Sequence, residues 1–225
     1  MVVTEGQPSL SPYCIKLETY LKLAKIPYVQ SKEYIKSSKG KVPWISYKGE
    51  NIADSQFCIE FIKTKFGVDL NQGLSKEQTA VAHAFRVMMD EFHFWCNAYF
   101  RFYDVKDPVF VKFFPSLEVR QQVVERYTQV LSGQGISRHT KAEILQIFSA
   151  NLQAVQDYLG DKVFMMGETP TEVDCSVFAF LAALIFYTPQ EFEKQMGEDF
   201  VQKKMPKLYE YFLRMKQLTY PDYEL

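Results

Sequence analysis

Residues 40–62 read GKVPWISYKGENIADSQFCIEFI, and the order of local signals in this stretch decides the fold class. Lys39-Gly40-Lys41 is a turn, and Val42-Pro43 leads into an extended run from Trp44 to Tyr47. Proline is accepted at the first residue of a strand, where its missing N–H costs no ladder hydrogen bond. Lys48-Gly49-Glu50-Asn51 makes a tight turn, and Ile52-Ala53 resumes extended structure. Asp54 and Ser55 then offer side-chain acceptors to the free N–H groups of a helix running to about Phe66. The apolar residues of that helix, Phe57, Cys58, Phe61 and Ile62, recur at helical spacing.

Upstream, Ser11-Pro12 reads as a helix start, with a capping serine and a proline pre-set for the first helical position. Ile15, Leu17, Tyr20, Leu21, Leu23 and Ala24 carry that helix to Pro27, and residues 28–35, YVQSKEYI, read as a short strand. Helix, strand, hairpin and helix within 70 residues predict an α/β unit over 1–70. From Asn71 the texture changes. Ser75 with Gln78 opens one long helical pattern over 75–103, marked by Val81, Phe85, Met88, Phe92, Trp95, Tyr99 and Phe102. Pro108 and Pro115 bracket a loop, and 117–131 is helical. Thr140 with Glu143 opens a helix that Gly160 stops, Thr171 with Asp174 opens an apolar one to Tyr187, and a last helix covers about 206–218. No strand signal appears after residue 66. The chain therefore divides near 68–74 into the α/β unit and an all-helical unit over 75–225, without internal repeats.

Composition narrows the function classes. The chain is 47% hydrophobic and carries a formal net charge of −1, with both signs interspersed. No Lys/Arg block offers the positive face that nucleic-acid binding requires. Cys14, Cys58, Cys96 and Cys175 form no CxxC pair and no disulfide framework, so they read as reduced thiols in a reducing compartment, the cytoplasm. Residues 1–10 lack a signal-peptide pattern. The longest apolar run, Val177 to Tyr187, has 11 residues and is too short to span a bilayer; it reads as a buried helix. His83, His93 and His139 show no metal-ligand spacing, and His93 with Cys96 is two ligands where a zinc site needs more, so no metal is expected.

Three constellations carry chemistry. Ser11-Pro12-Tyr13-Cys14 stands at a helix N-terminus, where free N–H groups and the helix dipole stabilise a thiolate. A thiol-redox domain has its nucleophilic cysteine in the slot that Ser11 fills here. Serine performs no disulfide exchange, but its hydroxyl donates a hydrogen bond to another molecule's thiolate; Cys14 occupies the later slot and is the redox candidate. Val42-Pro43 is a candidate cis bond, and in thioredoxin-like domains the residue before such a proline pairs its backbone with an extended thiol peptide. Asp54-Ser55 opens the next helix, where amides and hydroxyl suit a carboxylate and the Asp54 carboxylate suits an ammonium group. Singly, each is also what an ordinary cap, strand start or small core residue looks like. Together they have the order and spacing of a glutathione site.

On these residues the N-terminal segment resembles the glutathione transferase N-domain. More specifically the chain is similar to the failed axon connections family, related to metaxins. The matching stretches are PSLSPYCIKLETYLKLAKIPY (8–28), residues 40–62, GQGISRHTKAEI (133–144) and FMMGETPTEVDCSVFAFLA (164–182). The resemblance implies a glutathione transferase fold, with a thioredoxin-like α/β N-terminal domain and an all-α C-terminal domain. It also implies a glutathione site in which Ser11 is the catalytic residue and Val42, Pro43, Asp54 and Ser55 hold the tripeptide, and a homodimer. In transferases the first long helix faces the second-substrate pocket, so Glu91, Trp95 and Tyr99, at i, i+4 and i+8, are candidates for holding a small electrophile. The family fold begins with a strand before the Ser-Pro helix; here Val2-Val3-Thr4 supplies three residues of it, so that strand is expected to be short or missing.

The residues support three functions. The first is a glutathione transferase-like enzyme that binds glutathione as co-substrate and conjugates it to small electrophiles. The second, favoured by the short N-terminus, is a non-catalytic module with a protein partner. The third, a Cys14 thiol oxidoreductase, is disfavoured by serine in the nucleophile slot. Arg138-His139, after a Gly-containing loop, reads as a solvated loop or as a pair that meets an anion.

Overall fold

The structure is a computed structural model, and it describes residues 6–31, 33, 35–114 and 116–224. Helix α1 (Pro12–Leu23) precedes a hairpin of β1 (Trp44–Tyr47) and β2 (Glu50–Ala53), followed by α2 (Ser55–Phe66). The strands are antiparallel in the register Trp44↔Ala53 through Tyr47↔Glu50. All later helices belong to the helical part: α3 (Lys76–Val87), α4 (Phe94–Arg101), α5 (Pro108–Phe113), α6 (Leu117–Gln134), α7 (Lys141–Leu159), α8 (Glu172–Ile185), α9 (Gln190–Met196), α10 (Phe200–Lys204) and α11 (Pro206–Thr219). A π-helical turn, Met88–His93, joins α3 to α4, and a 3-10 turn, Ile136–Arg138, comes after α6.

Local chemistry explains most boundaries. Ser75 and Gln78 form a reciprocal capping box at α3, as Thr140 and Glu143 do at α7. At α8 the Asp174 carboxylate accepts from the Thr171 N–H at 2.7 Å and from its hydroxyl at 2.8 Å. Gly67 and Gly135 end α2 and α6 in the left-handed region that glycine enters without steric cost.

Two expectations fail. The predicted strand over 28–35 does not form: residues 28–31, 33 and 35 are irregular and exposed, while 32 and 34 lie outside the described residues. The β-branched and aromatic residues favour extension, but a strand also needs a neighbour to take its backbone groups, and Val29 is left 99% exposed. The predicted loop between Pro108 and Pro115 contains α5, started by Asp107, whose carboxylate accepts from the Val109 N–H at 2.9 Å. The proposed first strand at Val2-Val3-Thr4 lies outside the described residues.

Helix α8 is the axis of the molecule. Every residue from Glu172 to Leu184 is buried, as its unbroken apolar run requires. Around it gather Ile144, Phe148, Leu152 and Val155 of α7 and Leu208, Tyr211, Phe212 and Met215 of α11. A second cluster joins α1 to α2 through Leu17, Tyr20, Leu21, Cys58, Ile59 and Ile62. The two clusters meet where α1 lies against α8: Ile15 belongs to the helical core, and Cys175 of α8 belongs to the α1–α2 core. Among the described residues no single helix is long and apolar enough to cross a membrane.

Candidate functional site

The hairpin register brings two of the three constellations together. Pairing Trp44 with Ala53 at the open end of the hairpin brings Val42-Pro43 and Asp54-Ser55 to the same end of it. The Val42–Pro43 peptide bond is cis. Asp54 caps α2, its carboxylate accepting from the Gln56 N–H at 2.9 Å. Its backbone has φ 87° and ψ 136°, a region where a residue with a Cβ is strained by roughly 1–3 kcal/mol and which recurs at functional sites. Asp54 is exposed, whereas Ser55 beside it is 4% exposed.

Ser11 reaches the same neighbourhood through helix packing. Lys16, about 6 Å of helix rise beyond Pro12, donates to Gln56 Oε1 in the first turn of α2 at 2.9 Å. The N-termini of α1 and α2 therefore converge. Ser11 stands at the N-cap position, but its side chain makes no capping bond, contrary to the expectation of a capping serine. Its hydroxyl, with that of Ser9, instead approaches the Cys14 thiol. Burial pushes the Cys14 pKa up to about 11, partly opposed by these two hydroxyls. Burial likewise pushes that of Cys58 up to about 12. A raised thiol pKa lowers the thiolate fraction on which nucleophilic reactivity depends.

The chain approaches α1 along the helical part. Tyr187 Oη donates to the Pro8 carbonyl, and Lys112 to Gln7 Oε1. Arg101, buried between α4 and α8, donates to the Leu10 carbonyl at 2.7 Å and to the Ala183 carbonyl at 2.8 Å. The residues just before Ser11 are thus held by the helical part, and α1 one turn beyond it is tied to α2 through Lys16.

Sequence reading missed a polar joint beneath the site. Lys16 is fully buried and paired at 2.5 Å with Asp90 of the π-helical turn, which Arg86 also approaches at 3.3 Å. Tyr13 Oη donates to the Asp90 carbonyl at 2.5 Å. Gln56 Nε2 donates to Glu172 at 2.7 Å, and the Asn71 side chain donates to the same carboxylate at 3.3 Å. A lysine among apolar residues carries no local mark of burial, so nothing in the sequence distinguished it. Lys39 was also missed: its ammonium group donates to the Ala53 carbonyl at 3.1 Å and lies 4.6 Å from the Phe57 ring, placing a positive charge beside Asp54.

Of the electrophile candidates, Trp95 and Tyr99 stand four residues apart in α4 and Glu91 precedes that helix. Glu91 lies in the π-helical turn and is exposed. Trp95 packs edge-on against Phe94 at 4.9 Å, and Tyr99 packs against Phe100 at 5.1 Å and Tyr103 at 5.8 Å. The π-helical turn alters the spacing of Glu91 to the other two, and leaves that of Trp95 and Tyr99 regular. Among the described residues no group of three or more His, Cys, Asp or Glu is placed to hold a metal.

A family model for the glutathione S-transferase N-terminal domain matches residues 12–108, and one for the C-terminal domain matches residues 148–215. Failed axon connections of Drosophila melanogaster is 30% identical over 96% of this chain; the chain spans 56% of that relative's length. Isoprene-epoxide–glutathione S-transferase of Rhodococcus is 29% identical, with 94% of each chain covered. Metaxin-3 of Xenopus laevis is 27% identical over 80% of this chain and 63% of its own length. A solved glutathione S-transferase of Ceriporiopsis subvermispora, in complex with glutathione, superposes with a TM-score of 0.62 at 16% identity, covering 92% of this chain and 91% of its own. With a thioredoxin-like α/β part joined to an all-α part, the chain belongs to the metaxin-like, glutathione S-transferase-like family that includes failed axon connections.

Proposed function

We propose that the protein binds glutathione between the hairpin and the N-termini of α1 and α2, and conjugates it to small electrophiles in the cytoplasm. The observation that carries this reading is the approach of the α1 and α2 N-termini to each other, with Val42-Pro43 and Asp54-Ser55 at the same end of the hairpin. The α2 amides and Ser55 take the γ-glutamyl carboxylate, Asp54 takes the ammonium group, and the Val42 backbone pairs with the peptide. Ser11 donates to the glutathione thiolate, and attack on the electrophile then needs only a lowered thiol pKa and positioning. Trp95 and Tyr99, with Glu91 at the rim, shape the electrophile's place. In this reading 1–70 and 75–225 act as the two domains of one subunit, and a homodimer is the working assembly.

Calorimetry with glutathione tests it. Binding by the full chain, weakened about tenfold or more in Ser55→Ala by the loss of a bond to a charged group, supports the site. A well-folded chain that takes up no heat on titration sinks it. One observation favours a second reading, a non-catalytic module for a protein partner: Ser55 is covered. Failed axon connections and metaxin-3 stand among the relatives, and that reading predicts the negative calorimetric result.

A further inference from the structure

Arg101, the last residue of α4, is 5% exposed and stands where the helical part meets the residues that lead into α1. Both groups that its guanidinium bonds, the Leu10 carbonyl and the Ala183 carbonyl, are neutral, and its Nε has no partner. Asp107 is the acid that acts on it, but one oxygen of that carboxylate accepts from the Val109 N–H at 2.9 Å and the other from the Gln190 N–H at 2.8 Å. Burial pushes the guanidinium pKa down to about 10, so it stays charged at neutral pH. A buried charge without a close counter-charge is costly, and an apolar side chain of similar volume would fill the place without that cost. Nor is the charge needed to anchor the segment, because Tyr187 already holds the Pro8 carbonyl.

The charge bears on the N-terminus of α1. The Leu10 carbonyl belongs to the peptide unit whose N–H is that of Ser11, and this N–H donates to Ser9 Oγ at 3.2 Å. A cation at a peptide oxygen polarises the unit and strengthens its N–H as a donor. The Ser9 and Ser11 hydroxyls in turn approach the Cys14 thiol. A chain of polar groups therefore begins at a buried positive charge and ends at the first turn of α1, where the helix dipole has the same sign. Standard bond lengths put the guanidinium roughly 10 Å from a sulfur bonded to the Ser11 hydroxyl. At that separation, with an effective dielectric of about 20, a unit charge changes the ionisation of a thiol about tenfold.

The ionisable groups facing Arg101 are Asp107 before α5, Tyr127 of α6 and Tyr187 after α8. Around the start of α1 stand Cys14 and Glu18 of that helix, Asp90 of the π-helical turn, and the exposed Asp54 before α2. Lys16 and Arg86 share Asp90. Among the described residues Arg101 is thus the buried cation without a carboxylate of its own.

We propose that Arg101 is a positioning residue that makes the glutathione thiol held at Ser11 more acidic, through its charge and through the Leu10–Ser11 peptide. This rests on glutathione binding at that site. The full chain saturated with glutathione is titrated with alkali, and the ultraviolet absorbance of the bound thiolate is read against the same protein saturated with S-methylglutathione. Arg101→Gln, which keeps a donor for the Leu10 carbonyl and loses the charge, should raise the pKa of the bound thiol by about one unit, and Arg101→Lys should leave it within about 0.3 unit. Affinity for S-methylglutathione, which has no thiol to ionise, should change by less than about twofold in either variant. Equal thiol pKa in wild type and Arg101→Gln overturns the inference, as does an equal rise in both variants. A tenfold loss of S-methylglutathione affinity in Arg101→Gln, on the order of one hydrogen bond to a charged group, assigns Arg101 to the shape of the site and also overturns it. If Arg101→Gln does not fold, Asp107→Asn reads the same charge with the opposite sign. Asparagine keeps the cap of α5 and removes the negative charge that offsets Arg101, so the bound thiol should become more acidic, and an unchanged or raised pKa overturns the inference. Wild type that binds neither glutathione nor S-methylglutathione sinks the glutathione reading as well, whereas binding with a thiol pKa that none of these substitutions moves sinks this inference alone.

Discussion

At the scale of single residues, the structure separates groups placed for chemistry from groups placed for packing. Ser11 has its hydroxyl next to Cys14 and no capping bond to lose. If it steadies a glutathione thiolate, Ser11→Ala lowers the conjugation rate about tenfold or more while shifting stability by under about 1 kcal/mol. An unchanged rate removes Ser11 from the mechanism. His93 is a packing group. Burial alone drives its imidazole pKa down to about 3 from the ordinary 6.5, against Phe148 at a ring separation of 4.4 Å. The folded protein holds it neutral, so its contribution is complete above pH 6.5 and is lost as pH falls from there toward 3. Between pH 7 and pH 5 that loss is about 2 kcal/mol. His93→Leu should therefore show a flatter dependence of its urea midpoint on pH over this interval. A variant curve parallel to wild type would mean that His93 is hydrated or bonded in solution.

At the scale of elements, the legibility of the sequence depends on the range of the interactions involved. The capping pairs Ser75/Gln78, Thr140/Glu143 and Thr171/Asp174 act within one helical turn, so a few adjacent residues locate the starts of α3, α7 and α8. The strand over 28–35 does not form because propensity reports what a backbone favours, and only a neighbouring strand makes extension stable. The π-helical turn is invisible in the sequence because Val81, Phe85, Met88, Phe92, Trp95, Tyr99 and Phe102 fit an uninterrupted helix; the shifted register goes with the pairing of Lys16 and Asp90 across 74 residues. The Asp174 box does more than start α8. Its carboxylate accepts from Met165 N–H at 2.8 Å, from the Thr171 N–H and hydroxyl, and from Tyr211 Oη at 3.0 Å. Burial raises its pKa, and these bonds oppose the rise. Asp174→Ala strands all these donors in the core and should cost about 4 kcal/mol, read as a lower denaturation midpoint. A loss near 1 kcal/mol, that of an exposed cap, would show that the donors find other partners.

At the scale of the whole molecule, the α/β and helical parts are joined by polar groups set into an apolar seam. Lys16, Asp90 and Gln56 were not legible as a site, because each residue type is ordinary and only the fold brings them together. Asp90→Leu leaves Lys16 buried without a counter-charge, at a cost of about 3–5 kcal/mol, whereas Lys16→Met costs less because Arg86 still faces Asp90 at 3.3 Å. The double variant should recover most of the Asp90→Leu loss, since the fully buried lysine charge is then gone and Arg86, 16% exposed, is the charge left at that point of the seam. If the double variant is as unstable as the sum of the singles, the pair is not the source of the cost.

The hold of Tyr187, Lys112 and Arg101 on residues 7–10 has a further consequence. The connection near 68–74 is a seam in the chain and not in the tertiary structure, for α1 is gripped at its start by α4, α5 and the end of α8 and along its length by α8 itself. Nicking the polypeptide there would leave a native complex of two fragments, and neither fragment alone would have a complete interior. Unfolding of the α/β and helical parts should therefore be one transition, read as coincident loss of both by circular dichroism and tryptophan fluorescence.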